Sequence, residues 1–155
     1  MPTLYMLVGI PGSGKSTWIA NQALDWNNTR IISTDNIIER RAQEQGKTYS
    51  EVFQQEIKSA TAQMNAELRQ ALRDGADIVW DQTNLTRKAR ASKLSVVPED
   101  YRKIGVFFPT PGDDELKRRL ASRPGKTIPA NVVLGMKSQI ERPSTDEGFD
   151  EVRTA

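Results

Sequence analysis

Thr3-Leu4-Tyr5-Met6-Leu7-Val8-Gly9-Ile10-Pro11-Gly12-Ser13-Gly14-Lys15-Ser16-Thr17-Trp18 is the stretch that decides how the rest of the chain reads. Thr3 to Val8 is a short apolar run that ends at glycine, and a helix-like pattern starts at Lys15, so the order is strand, loop, helix. Between them, Gly9 to Ser16 satisfies G-x-x-x-x-G-K-[ST]. Glycines let the backbone wrap a phosphate, and the amides at the following helix start donate to its oxygens. A lysine at the seventh position neutralises the β and γ phosphates, and the hydroxyl after it faces magnesium. The pattern therefore predicts ATP held by Gly9, Pro11, Gly12, Ser13, Gly14, Lys15, Ser16 and Thr17, with Mg2+ at Ser16.

Outward from this loop, strands and helices alternate. Arg30 to Ser33 is a second strand candidate, with Asp35 just beyond its carboxyl end. Phe53, Ile57, Ala60, Met64, Leu68 and Leu72 then recur at intervals of three and four until Gly75, the mark of a long amphipathic helix. Asp77 to Trp80 and Lys103 to Phe108 are further strand candidates; a basic helical stretch follows the first, and a Lys/Arg-rich helix the second. Pro124-Gly125 breaks the chain again before Pro129 opens a last helix. This alternation predicts an α/β fold, a parallel sheet of four to five strands flanked by helices, within one domain spanning residues 1–155.

Composition narrows the chemistry. The 155 residues contain no cysteine and no histidine, so thiolate catalysis and cysteine-ligated zinc are excluded. A general base must then be a carboxylate, lysine or tyrosine, and a metal must be held by oxygen, which favours magnesium. The balance of 22 Lys and Arg against 20 Asp and Glu is nearly even, but positive charge concentrates in Thr86 to Lys93 and in Lys117 to Lys126. Neither a long apolar run nor a cleavable leader is present, which predicts a cytoplasmic protein with no membrane partner.

Six residues stand out as chemistry. Asp81 follows the apolar Ile78-Val79-Trp80, where a P-loop fold keeps the acidic residue that organises magnesium; the alternative is a plain helix cap. Asp35 is the best-placed general base in a protein without histidine, or else an N-cap for the next helix. Arg119 and Arg123 are four apart and would share a helix face, either a solvated basic surface or a lid that closes arginines onto the transferring phosphoryl group. Thr83 and Asn84 lie in a compact polar turn at a strand's carboxyl end, where open parallel sheets bind ligands.

The ordered set of Gly9 to Trp18, Asp35, Asp81-Gln82-Thr83-Asn84, Arg119 to Arg123, Ile128-Pro129 and Arg142 to Phe149 resembles the polynucleotide kinase family of P-loop kinases. The resemblance implies that Lys15 and Ser16 hold ATP and magnesium, that Asp35 activates an acceptor hydroxyl, and that Arg119 and Arg123 stabilise the transition state. It also implies a DNA or other nucleic-acid substrate in a bacterial or phage-infected cytoplasm. Because Thr86 to Arg90 lies just beyond Asn84 at the strand end where an acceptor must enter, Arg87 and Arg90, with Arg40 and Arg41, are expected to track its backbone phosphates. Two departures are visible: no D-x-D-x-T phosphatase motif occurs, and Ile38 stands where the phage member has a substrate-binding arginine. The chain is also similar to compact phage kinases that act on 5-hydroxymethyluracil in DNA. The acceptor is therefore expected to be a 5′-hydroxyl end, with the base hydroxymethyl or a small molecule as alternatives and a non-kinase nucleotide switch as the least favoured reading.

Overall fold

The computed structural model describes residues 1–155. Five strands form one parallel sheet: β1 (Thr3–Val8), β2 (Thr29–Ile32), β3 (Asp77–Trp80), β4 (Arg102–Phe107) and β5 (Glu151–Thr154), in the order β2-β3-β1-β4-β5. β1 lies at the centre, paired with β3 and β4, because its side chains are apolar on both faces and need cover from both sides. Leu4, Met6, Leu7 and Val8 have no exposed surface at all. The P-loop is thereby anchored to the most buried strand of the protein.

Six helices connect and cover the strands: α1 (Lys15–Asn21), α2 (Thr34–Glu44), α3 (Tyr49–Arg73), α4 (Arg87–Leu94), α5 (Asp113–Ala121) and α6 (Ala130–Gln139). α3 begins in a reciprocal capping box, with Thr48 Oγ1 accepting from the Glu51 amide and Glu51 Oε1 from the Thr48 amide. It ends before Gly75, whose φ of 62° is the left-handed turn that glycine adopts without strain. Ala60, Met64 and Leu68 of the predicted stripe are buried, and Phe53, Ile57 and Leu72 pack at the edge of the same core.

Sequence and structure differ at two places. Ser33 is not strand but the N-cap of α2, its hydroxyl accepting from the Asn36 amide. β5 was not among the strands legible in the sequence; its four residues are half charged, and it is a strand because Phe107 and its neighbours on β4 offer a ladder to pair with. A further small core of Ile10, Leu116 and Val133 joins the P-loop to α5 and α6. No helix is long and apolar enough to cross a membrane.

Candidate active site

The carboxyl ends of β1, β2 and β3 deliver the P-loop, Asp35 and Asp81 to one edge of the sheet. Parallel sheets gather functional groups here because the helix starts and loops that follow each strand lie on the same side. The backbone of the P-loop needs its glycines: φ is 81° at Gly12 and 107° at Gly14. A Cβ at Gly9 would stand 2.5 Å from Ser13 Oγ and 2.8 Å from Phe108 Cβ, so the loop packs too tightly there for any side chain. The Gly9 amide donates to the Thr83 carbonyl at 3.0 Å and Asn84 Nδ2 to the Leu7 carbonyl at 2.7 Å, tying the loop to the turn after β3.

Lys15 Nζ donates to the Gly9 carbonyl at 2.8 Å. Burial lowers its pKa to about 8 against the opposing pull of Asp81 and Asp35. Burial likewise raises the Asp81 carboxyl, with Lys15 holding it down. Helix capping explains neither acid: Ser33 caps α2 and Thr86 caps α4, leaving Asp35 in the first turn and Asp81 between strand and turn. No cluster of three or more carboxylates exists, so Ser16 and Asp81 supply few oxygens. That donor set fits a magnesium ion, which keeps several waters and takes phosphate oxygens as ligands.

Arg119 sits on α5, and α5 is held against the loop by Leu116 and Leu120, whose methyl carbons lie 3.1 and 3.2 Å from where a Gly12 Cβ would be. Arg119 Nη1 donates to the Gly12 carbonyl at 3.0 Å and its Nε to Glu115. Arg123 is not on that helix face, since α5 ends at Ala121 and Ser122 caps it. The chain turn after Ser122 nevertheless brings Arg123 to the same cavity of about 550 Å³, lined also by Ser13, Lys15 and Ser16. Arg123 Nη1 and Ser13 Oγ are buried without a hydrogen-bond partner, and both residues line this cavity. Arg118, by contrast, turns to Glu115.

Asp35 carries a set of neighbours that the sequence did not reveal. Its Oδ1 accepts from the Tyr49 hydroxyl at 2.6 Å and its Oδ2 from Lys126 Nζ at 3.0 Å. Burial pushes its pKa up, but Lys126, the Tyr49 donor and Lys15 outweigh that and leave it below the ordinary aspartate value. Beside it opens a cavity of about 670 Å³ lined by Asn36, Glu39, Arg40, Lys47, Tyr49 and Lys126, among others.

The other expected substrate contacts are sorted by their partners. Arg40 lines that cavity and is exposed. Arg41 does not reach it, because its guanidinium bridges α2 to Glu56, Ser59 and Gln63 on α3. Thr83 is half-buried, its carbonyl engaged by Gly9. Asn84 is 2 % exposed, with φ of 48°; its side chain serves Leu7 and Lys93 and is corrected from substrate contact to structural tie. Arg90 is corrected likewise: it is wholly buried, forked onto Glu147 at 2.8 and 3.1 Å, and donates to the Asn84 and Leu85 carbonyls. Arg87 is exposed but engaged by Ser144 and Asp146. Ile38, the departure from the family pattern, is buried core.

A glycine cradle after the central strand, a lysine at the start of the helix that follows and a five-stranded parallel sheet flanked by helices make this a P-loop kinase fold. The chain belongs to the AAA domain family, which matches residues 4–143. It is 24% identical over 157 residues to heterogeneous nuclear ribonucleoprotein U-like protein 2 of Mus musculus, with 96% of this chain covered. That match takes in 21% of the relative, so the chain spans about a fifth of the curated protein it resembles. Among solved structures, the Pnkp1/Rnl/Hen1 RNA repair complex has a chain with TM-score 0.68 and 23% identity, covering 96% of this chain and 46% of that one. A gluconokinase from Sinorhizobium meliloti gives TM-score 0.55 at 18% identity over 99% and 81% of the two chains. A fungal RNA kinase gives 0.53 at 16% over 99% and 75%.

Proposed function

We propose that this chain is an ATP-dependent kinase that transfers the γ-phosphate to a hydroxyl of a polynucleotide. The observation that carries the reading is the convergence of Lys15, the unmet donor of Arg123 and the carboxylate of Asp35 on one strand edge, with a second cavity opening beside Asp35. The P-loop from Gly9 to Thr17 would hold the triphosphate, and Ser16 and Asp81 the magnesium. A magnesium ion held by these residues would supply positive charge that offsets the charge of the phosphates. Asp35, kept ionised by Lys126 and Tyr49, would take the proton of the acceptor hydroxyl. Arg119 and Arg123 would meet charge on the phosphoryl group as it leaves ATP.

The acceptor enters by the cavity beside Asp35, where Arg40, Lys47 and Lys126 give a cationic wall. Such a wall suits a substrate with backbone phosphates next to the reacting hydroxyl. The polynucleotide kinase pattern in the sequence and the RNA-related names among the structural neighbours support that acceptor class. A motor-type ATPase is disfavoured by Asp81-Gln82, since such machines need a paired acid at this strand end.

Labelled ATP offered with five acceptors tests the reading: RNA and DNA oligonucleotides with free 5′ hydroxyls, the same DNA with blocked ends, blocked DNA carrying 5-hydroxymethyluracil, and gluconate. Label on a free-ended oligonucleotide is the expected result. Label on the modified base moves the acceptor within the nucleic acid. Label on gluconate alone, or only inorganic phosphate, overturns the polynucleotide reading.

A further inference from the structure

The segment that carries Arg123 carries a second cation three residues on, and that cation does not face the nucleotide cavity. Lys126 Nζ lies 3.0 Å from Asp35 Oδ2 and 3.5 Å from Glu39 Oε1, and 4.3 Å above the Tyr49 ring. Its side chain is 10 % exposed although it comes from a surface loop. The loop is not passively placed. The Ser50 amide donates to the Gly125 carbonyl at 3.1 Å, and the Thr127 amide to Ser50 Oγ at 3.0 Å, so two bonds to one residue fasten it to the start of α3. Gly125 has φ of 68°, and a Cβ there would stand 2.8 Å from Thr48 Cβ, so only glycine allows the loop to come this close.

We infer that Lys126 is a positioning residue for Asp35, and that docking of the 124–127 loop on α3 assembles Arg123 and the acceptor base in one movement. The inference rests on the reading of Asp35 as the general base. Both Asp35 oxygens are held, Oδ1 by Tyr49 and Oδ2 by Lys126, which fixes the carboxylate plane. An acceptor hydroxyl can then donate only to the lone pairs that Tyr49 and Lys126 leave free. A loop that has not docked leaves Arg123 away from the phosphate cavity and Asp35 without its ammonium. ATP held without acceptor and lid in register would then be poorly activated, which suppresses wasteful hydrolysis.

The groups facing Asp35 are Lys126 from the loop, Tyr49 from α3, Lys15 from α1, Glu39 on its own helix and Asp81 from the end of β3; Arg123 acts on Lys15 and Tyr49. Of these, Lys126 is the largest influence holding Asp35 ionised. Removing it must move the carboxyl toward higher pH.

The test compares Lys126→Met, Lys126→Arg and Asp35→Asn in the intact chain with labelled ATP and a phosphorylatable oligonucleotide, after thermal melts establish folding. Lys126→Met is expected to lower kcat roughly 10- to 100-fold, the scale of a base misplaced by about an ångström. The KM for ATP stays unchanged, the acidic limb of the rate profile moves to higher pH, and Lys126→Arg restores most of the rate. If Lys126→Met does not fold, Lys126→Gln is read on the same criteria. A loss equal at every pH and not restored by arginine, or a raised KM for ATP at unchanged kcat, overturns the inference. If Asp35→Asn itself keeps the wild-type rate, the base assignment fails first, and that result is separate from any outcome at Lys126.

Discussion

Two arginine-rich regions look alike in the sequence and differ in the folded protein. In the stretch from Thr86 to Lys93 the arginines are matched to acids: Arg90 is buried against Glu147, and Arg87 reaches Asp146 and Ser144. In the stretch from Lys117 to Lys126 the Arg123 guanidinium is left with a buried nitrogen unmet, Arg119 reaches the P-loop, the Lys126 ammonium reaches Asp35, and Arg118 turns to Glu115. A buried charge that is paired already has its desolvation offset, whereas an unmet buried donor beside a glycine cradle is the group that the proposed function assigns to a ligand. The Arg142 to Phe149 segment, which carried part of the family resemblance, follows the same logic. Ser144 and Glu147 form a reciprocal cap on the turn Thr145–Glu147, Glu147 holds Arg90, and the Phe149 ring lies 3.4 Å from where a Gly105 Cβ would be.

The sharpest break would come at the cradle itself. Lys15→Ala should reduce phosphoryl transfer by roughly 10³-fold or more, as expected when a principal charge on the transferring phosphates is lost. Steady-state assays with matched melting curves measure this; near-normal activity in a folded variant would put the nucleotide elsewhere. Next, Arg123→Met and Arg90→Met should separate cleanly. The first should cost about 10²- to 10³-fold in kcat with ATP affinity and melting temperature little changed. The second strands Glu147 in the interior and should destabilise by about 3–5 kcal/mol, while whatever remains folded turns over normally. Chemical denaturation and kcat on the same samples distinguish the two, and a rate defect without a stability defect in Arg90→Met would reverse the assignment.

A smaller effect follows from the depressed lysine. With a pKa of about 8, Lys15 is charged below that pH and neutral above it, whereas bound phosphates require it charged. ATP affinity should therefore be flat below about pH 8 and fall by at most about tenfold per pH unit above it, as the lysine must take up a proton on binding. Calorimetric titration across this range checks the slope, and Lys15→Met should abolish it. Smallest of all, Arg87→Ala should change stability by about 1 kcal/mol or less, since Arg87 and Asp146 are exposed and the contact with the buried Glu147 is a long one at 3.7 Å. It should leave the salt dependence of nucleic-acid turnover unaltered; a flatter slope would return Arg87 to the substrate.

Local spacing made much of this visible. The P-loop, the strand ends at Asp35 and Asp81 and the long stripe of α3 each announce themselves within one continuous stretch of chain, because period and turn chemistry are local properties. What stayed hidden joins distant parts of the chain. Lys126 meets Asp35 across 91 positions and Arg90 meets Glu147 across 57, and no spacing rule links either pair. Tyr49 carried no signal of its own in the sequence, and Lys93 stood only as the end of a basic run. In the fold Lys93 is half-buried beside Trp80, donating to Gln82 and Asn84, and desolvation lowers its pKa to about 8. β5 escaped notice because pairing with β4, not its own apolar content, makes it a strand.

The most direct test of the whole account is single-turnover transfer of labelled γ-phosphate to an oligonucleotide by Asp35→Asn, measured beside its ATP affinity. The account predicts a rate lower by roughly 10²-fold or more at unchanged ATP affinity, because Asp35 acts on the acceptor proton and not on the nucleotide. An unchanged rate, or a loss of ATP binding as large as the loss of rate, would contradict it.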